Sequence, residues 1–341
     1  MRFYMHEKNF FTKTFLSLIF ASSLMLWTGL TWAAVSSWHP SKAIEVVVPG
    51  GAGGGIDSSA RAIQRVIQAK KLLETPFTIV NKPGGSASVG LSYLSQLPSD
   101  GHHIAMGSGA LLTNHITGRS ALHTSDFTPL VQLFSESISF AVRADSPIKS
   151  GRDLLARLKA DPGSVRVGLP SVASTNHIAC ALVLKSLGVD PKTLKTVIFN
   201  SSAAGLTALL GGHIELVASP AANTIAHIQA GTLRVVAISS EKRLSGAFAD
   251  VPTLKELGSN VVIGAFRSAI GPKGMPREVV AYWERLFSSI VQTKEWQDYL
   301  IKQSLENNFM NSKESATFLG NQYKELYEAL SDLNLAKVSM P

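Results

Sequence analysis

The sequence predicts an α/β protein of two lobes, and three observations lead there. Short runs rich in β-branched residues alternate with stretches whose apolar residues recur at helical spacing, the pattern of strand–helix units on an open sheet. The chain has 341 residues, 45% hydrophobic and 16% charged, too apolar for disorder. The part after position 33 also exceeds the ~250–300 residues at which one hydrophobic core stops growing, so two lobes are expected rather than one.

The elements follow in order. Residues 1–33 read as a secretory signal peptide. Arg2, Lys8 and Lys13 make a basic start, Leu16 to Leu30 is uncharged and apolar, and Thr31-Trp32-Ala33 places cleavage after Ala33. That apolar run is short for a bilayer span of about 20 residues. Strands are expected at 44–48, 77–80, 104–106, 138–142, 165–168, 196–199, 214–218 and 233–239. Helices are expected at 58–73, 176–187, 203–210 and 221–230, with Gly188, Gly211 and Gly231 as C-caps. This alternation predicts a parallel-rich sheet covered on both faces. After Pro276 the pattern turns helical, at 278–291, 295–304 and 313–333. The last of these carries Phe318, Leu319, Gln322, Tyr323, Leu326, Tyr327 and Leu330 as one mostly apolar packing stripe.

Several function classes fail on composition and spacing. Cys180 is the only cysteine, so no disulfide forms within the chain, and it reads as a small core residue on an apolar helical face. There is no H-E-x-x-H and no G-x-S-x-G, so no metal, cofactor or catalytic residue is nominated. The net charge of +8 favours anionic partners. Nucleic acid is not expected, because no basic run exceeds Lys70-Lys71.

The most informative segment is the glycine turn at 49–57, Pro-Gly-Gly-Ala-Gly-Gly-Gly-Ile-Asp, between a strand and a helix. Amides at a helix N-terminus lack internal partners and attract an anion, and glycines let a ligand approach closely. Gly53, Gly54 and Gly55 are therefore expected to bind a carboxylate or phosphate, with Asp57 as N-cap acceptor. Neither nucleotide pattern fits: the dinucleotide spacing fails, and a P-loop lysine is absent. Other strand-end turns are rich in hydroxyl and amide groups: Ser86, Ser108, the 171–177 loop with Ser171, Ser174, Thr175, Asn176 and His177, and Ser201. In open α/β sheets ligands sit beyond the carboxyl ends of strands, so these residues complete the expected ligand cage.

From about Ala43 to Leu333 the chain resembles the periplasmic solute-binding proteins of tripartite tricarboxylate transporters, the Bug/TctC type. The resemblance rests on Val48-Pro49-Gly50-Gly51 with Gly55-Ile56-Asp57-Ser58-Ser59-Ala60-Arg61, and on Asn81-Lys82-Pro83-Gly84-Gly85 with Gly90. It continues through 98–101, 209–216, 230–234 and the Asp250-Val251-Pro252-Thr253-Leu254 run to Gly258. Phe266-Arg267-Ser268 and 271–275 resemble the tricarboxylate-receptor branch. Phe266 stands where a tryptophan is usual, and Ser219 lies in a stretch that commonly carries an aspartate.

The resemblance implies a two-lobe Venus-flytrap fold with a helical C-terminal segment and no enzymatic activity. It implies a periplasmic monomer that captures a small di- or tricarboxylate and presents it to an integral membrane permease. The lobes would span 34–140 plus 250–341, and 141–249. A signalling receptor of the same fold, or a doubly wound enzyme on a small anion, are the competing expectations.

Overall fold

The computed structural model describes residues 38–199 and 201–340. The leader expected at 1–33 lies outside the described residues. Nine strands form one mixed sheet: β1 (Ile44–Val48), β2 (Phe77–Asn81), β3 (His103–Gly107), β4 (Phe127–Arg143), β5 (Val167–Leu169), β6 (Thr196–Ile198), β7 (Leu216–Pro220), β8 (Leu233–Ile238) and β9 (Gly264–Pro272). Their order is β2-β1-β3-β9-β4-β7-β5-β6, with β8 also paired to β4.

The 17-residue β4 belongs to both lobes. Its residues 127–137 pair with β9, and 138–143 pair with β7 and β8. The chain returns between the lobes through 239–263, and the two crossings touch at a buried serine. Ser239 Oγ accepts from the Ile138 amide at 2.8 Å and donates to the Ile263 carbonyl at 2.5 Å.

The helices are α1 (Gly55–Lys70), α2 (Ser88–Ser95), α3 (Ala110–Ile116), α4 (Gly151–Ala160), α5 (Thr175–Ser186), α6 (Ser202–Leu210), α7 (Ile225–Gln229), α8 (Arg277–Val291), α9 (Lys294–Lys302) and α10 (Ser312–Asp332). Helix α1 buries Ala60, Ile63, Val66 and Ile67 against the sheet and ends where Lys71 turns left-handed. Helix α10 starts in a capping box between Asn311 and Glu314. It buries Leu319, Tyr323, Leu326 and Leu330 at spacings of four, three and four, as its stripe predicts. Cys180 lies in the core, where burial pushes its thiol up to about 12.

Two expectations change. The sheet is mixed rather than parallel-rich: the pairs β1–β2, β1–β3, β5–β6 and β5–β7 are parallel, whereas β3–β9, β4–β7, β4–β8 and β4–β9 are antiparallel. Parallel neighbours need a crossover connection, but between β8 and β9 there is no α-helix, only the 3₁₀ turn Gly246–Phe248. Of the expected C-cap glycines, Gly188 and Gly231 take positive φ, and Gly212 does so in place of Gly211.

Candidate functional site

The carboxyl ends of β1 and β3, together with the start of β9, reach one edge of the first half of the sheet. The glycine turn and Arg267 lie there. In the other half, the turns after β6 and β7 supply Ser201 to Ala203 and Pro220 to Asn223. These segments face one another across a cleft of about 720 Å³, whose wall also includes Phe134, Glu136, Tyr299 and Gln303.

Three features make the cleft attractive to an anion. The first is the glycine turn. Gly53 donates its amide to Asp57 Oδ2 at 2.8 Å, and Gly54 donates to the Gly51 carbonyl at 3.2 Å. The amides of Gly55, Ile56 and Asp57 have no protein acceptor among the described residues, and Gly54 caps the helix without a side chain. Their N–H groups and the α1 dipole form the anion-attracting end of a 16-residue helix. The second is the N-terminus of α6, where Ser201 Oγ accepts from the Ala204 amide at 3.1 Å.

The third is Arg267, 9% exposed. Its Nη1 donates to the Phe266 carbonyl at 2.9 Å, while its Nε is buried without a partner. Its nearest countercharge, Glu136, is 3.8 Å from Nη2, too long for a hydrogen bond. A Cβ at Gly55 would stand 3.2 Å from Nη2 and crowd the guanidinium. Burial pushes the Glu136 carboxyl up; Arg267 and the Ala222 amide pull it down but do not prevail. Tyr299 is raised by burial, opposed by a hydrogen bond with Ser59.

The expected site residues fall into two groups. Gly53, Gly54, Gly55 and Ser201 are on the cleft wall. Asp57 is not the N-cap acceptor: it sits at the third helical position and braces the turn from inside. Besides Gly53 it accepts from Arg61 Nε at 2.8 Å and Asn81 Nδ2 at 3.0 Å. Burial works to raise its pKa, but these hydrogen bonds outweigh it and hold the carboxyl low.

The others gather around α3 and α5, off the wall of this cleft. The Ser86 carbonyl accepts from Asn114 Nδ2 at 2.7 Å, and the Ser108 carbonyl accepts from the Leu111 amide at 2.9 Å. Ser174 caps α5 and donates to the Ser171 carbonyl at 2.8 Å. Thr175 packs against Gly109, where a Cβ would meet its hydroxyl at 3.3 Å. Asn176 Nδ2 donates to the Ala218 carbonyl at 2.8 Å. His177 Nδ1 accepts from the Ala173 amide at 3.1 Å, and burial lowers its pKa.

Of the two departures from the family pattern, Phe266 packs edge-on against Phe318 at 5.3 Å, with the α3–α5–α10 cluster. Ser219 is buried and its carbonyl accepts from Ser139 Oγ at 2.9 Å. Arg267, Glu136, Tyr299, Asn223 and Gln303 also line the wall, and no local sequence pattern nominates them. The nearest signal is the lone arginine inside the run Ala265-Phe266-Arg267-Ser268-Ala269-Ile270, since a charge buried in a strand needs a partner.

Among the described residues no helix is long and apolar enough to cross a membrane. The profile described as "Tripartite tricarboxylate transporter family receptor" matches residues 60–335. A Cupriavidus necator protein named "UPF0065 protein in gbd 5'region" is 28% identical over 299 residues, covering 87% of this chain and 89% of that one. A TctC solute-binding protein from Polaromonas superposes with a TM-score of 0.72 at 30% identity, over 86% of this chain and 99% of the other. MatC of Rhodopseudomonas palustris, solved with bound malate, superposes with a TM-score of 0.73 at 21% identity, over 85% and 99%. The fold is thus that of the two-lobe periplasmic binding proteins, and the chain belongs to the tripartite tricarboxylate transporter receptor family.

Proposed function

We propose that this protein is a periplasmic receptor that captures a small di- or tricarboxylate between its lobes and delivers it, unchanged, to the permease of a tripartite transporter. The lobes divide within β4 and again in the 239–263 return, the chain is a monomer, and the leader is removed on export. The observation that carries the reading is Arg267: a buried guanidinium with an unpaired Nε, beside the open amides of α1. One ligand carboxylate would take Arg267 and those amides. Ser201, Ser202 and Asn223 would approach from the second lobe. Glu136, next to Arg267, favours a ligand that also offers a hydroxyl donor, as malate and citrate do. The malate bound by the MatC neighbour is consistent with that class.

Charge-assisted hydrogen bonds contribute about 1.5–3 kcal/mol each, so a few give micromolar binding after the cost of closing the lobes. The test is the melting temperature of the mature protein against a panel of small acids. A ligand at a hundred times its Kd stabilises by ~2.7 kcal/mol. Malate- or citrate-like acids are expected to raise the melting temperature. If the panel leaves it unmoved while neutral amides or aromatic compounds raise it, the substrate class is wrong.

A further inference from the structure

Strands β4 and β9 separate the cleft from a second, smaller cavity of about 240 Å³. Along β4, Phe134 and Glu136 line the cleft, while Ser135 and Ser137 line the second pocket; successive residues of a strand point to opposite faces. Strand β9 repeats the alternation, with Arg267 on the cleft and Gly264 on the pocket. Ile178 and Leu182 of α5, with Phe318 and Leu326 of α10, give the pocket an apolar wall.

Its charge is opposite to that of Arg267. Ser137 Oγ donates to Glu306 Oε1 at 2.5 Å, and Gln322 Nε2 donates to Glu325 Oε2 at 2.6 Å. Yet among the described residues no lysine or arginine stands within ion-pair distance of either carboxylate. Glu241 at the same pocket is by contrast paired with Lys255. Two further acceptors are open. Ser240, 2% exposed, has an Oγ without a partner. Asn308 gives its Nδ2 to Ser135 Oγ at 2.6 Å, which leaves its buried Oδ1 unmet.

We propose that this pocket binds a primary ammonium group carried on a short aliphatic chain. An ammonium offers three N–H donors and no acceptor. Glu306 and Glu325 supply the countercharge, the unpartnered Asn308 Oδ1 and Ser240 Oγ stand beside them as acceptors, and the apolar wall takes the chain. At ~30 Å³ per water-sized volume the pocket holds about eight such volumes, enough for a chain of about four carbons. A carboxylate is repelled by Glu306 and Glu325, and a quaternary cation brings no N–H. A free alkylamine and a lysine side chain of a partner protein present the same chemistry.

The test is calorimetric titration of the mature protein with butylammonium, butanol, butyrate and tetramethylammonium, and with Nα-acetyl-lysine amide. Butylammonium is expected to bind at least tenfold more tightly than the other three small probes. Glu306→Gln and Glu325→Gln should each weaken it at least tenfold, with melting curves confirming that both variants fold. Binding of butylammonium alone assigns a free amine, and equal binding of the lysine amide assigns a partner's lysine; both support the pocket. Butylammonium binding no tighter than butanol, or binding unchanged in both variants, overturns it. None of these readouts depends on whether the Arg267 cleft takes a carboxylate.

Discussion

Arg267 holds a charge in a wall where water is scarce and its countercharge is half an ångström or so too far for a hydrogen bond at the ~3.2 Å limit. A buried charge left in that state is unfavourable unless something completes its shell. Arg267→Gln should therefore weaken carboxylate binding roughly 10- to 150-fold, the equivalent of one charge-assisted hydrogen bond of ~1.5–3 kcal/mol; calorimetric titration checks it. Glu136 predicts a pH effect of definite sign. Its carboxyl is raised in the folded protein, so its contribution to stability is fully present below the ordinary glutamate value of about 4.3 and is lost as pH rises through the raised value. Urea unfolding across that interval should show stability falling with pH in the wild type, and a flatter profile in Glu136→Gln. At this scale the glycine turn and Ser201 were legible, because glycine runs and helix-start serines have a local backbone meaning. Arg267, Glu136 and Tyr299 were not, since only the packing of β4, β9 and α9 onto α1 brings them together.

Elements differ in how much of their cause is local. Helix α10 is announced by its capping box and its stripe, and Asn311→Ala should lower stability by about 1 kcal/mol, read from chemical denaturation, through the lost cap. Helix α2 hides its identity behind Gly90. That glycine lowers helix propensity, yet a Cβ there would stand 2.7 Å from the Pro49 Cβ at the end of β1. Strand β9 escaped notice for a related reason: Gly264 and Gly271 near its ends and Arg267 within blur the apolar run, and its pairing partners β3 and β4 lie more than a hundred residues away in sequence. The first half of β4 is equally non-local, since the partner that orders it is β9. Asp57 is an intermediate case. Its helix-start position was evident, but its role as a brace depends on Asn81, which arrives from the next strand.

The whole molecule is two α/β halves joined where β4 passes from one set of partners to the other. Alternation and size announced two lobes, whereas the antiparallel crossings that join them carry no periodic signature. Ser239 ties those crossings, and its hydroxyl satisfies a buried amide and a buried carbonyl. Ser239→Ala should lower stability by ~1–3 kcal/mol, the effect of leaving buried polar groups unmet, as measured by urea unfolding. The β4–β9 ribbon also separates charge: a guanidinium faces the cleft on one side, and two carboxylates without cations face the pocket on the other. An anion and a cation would thus be drawn to opposite faces of one ribbon.

Where a carboxylate binds is decided by a crystal structure of the mature protein grown with a malate-like acid. One ligand carboxylate is expected within hydrogen-bond distance of the Arg267 guanidinium and the Gly55 and Ile56 amides, with Ser201 or Asn223 closing from the other side. A ligand held instead among Ser86, Ser108, Thr175 and His177, with no contact to the Arg267 guanidinium, would overturn this assignment.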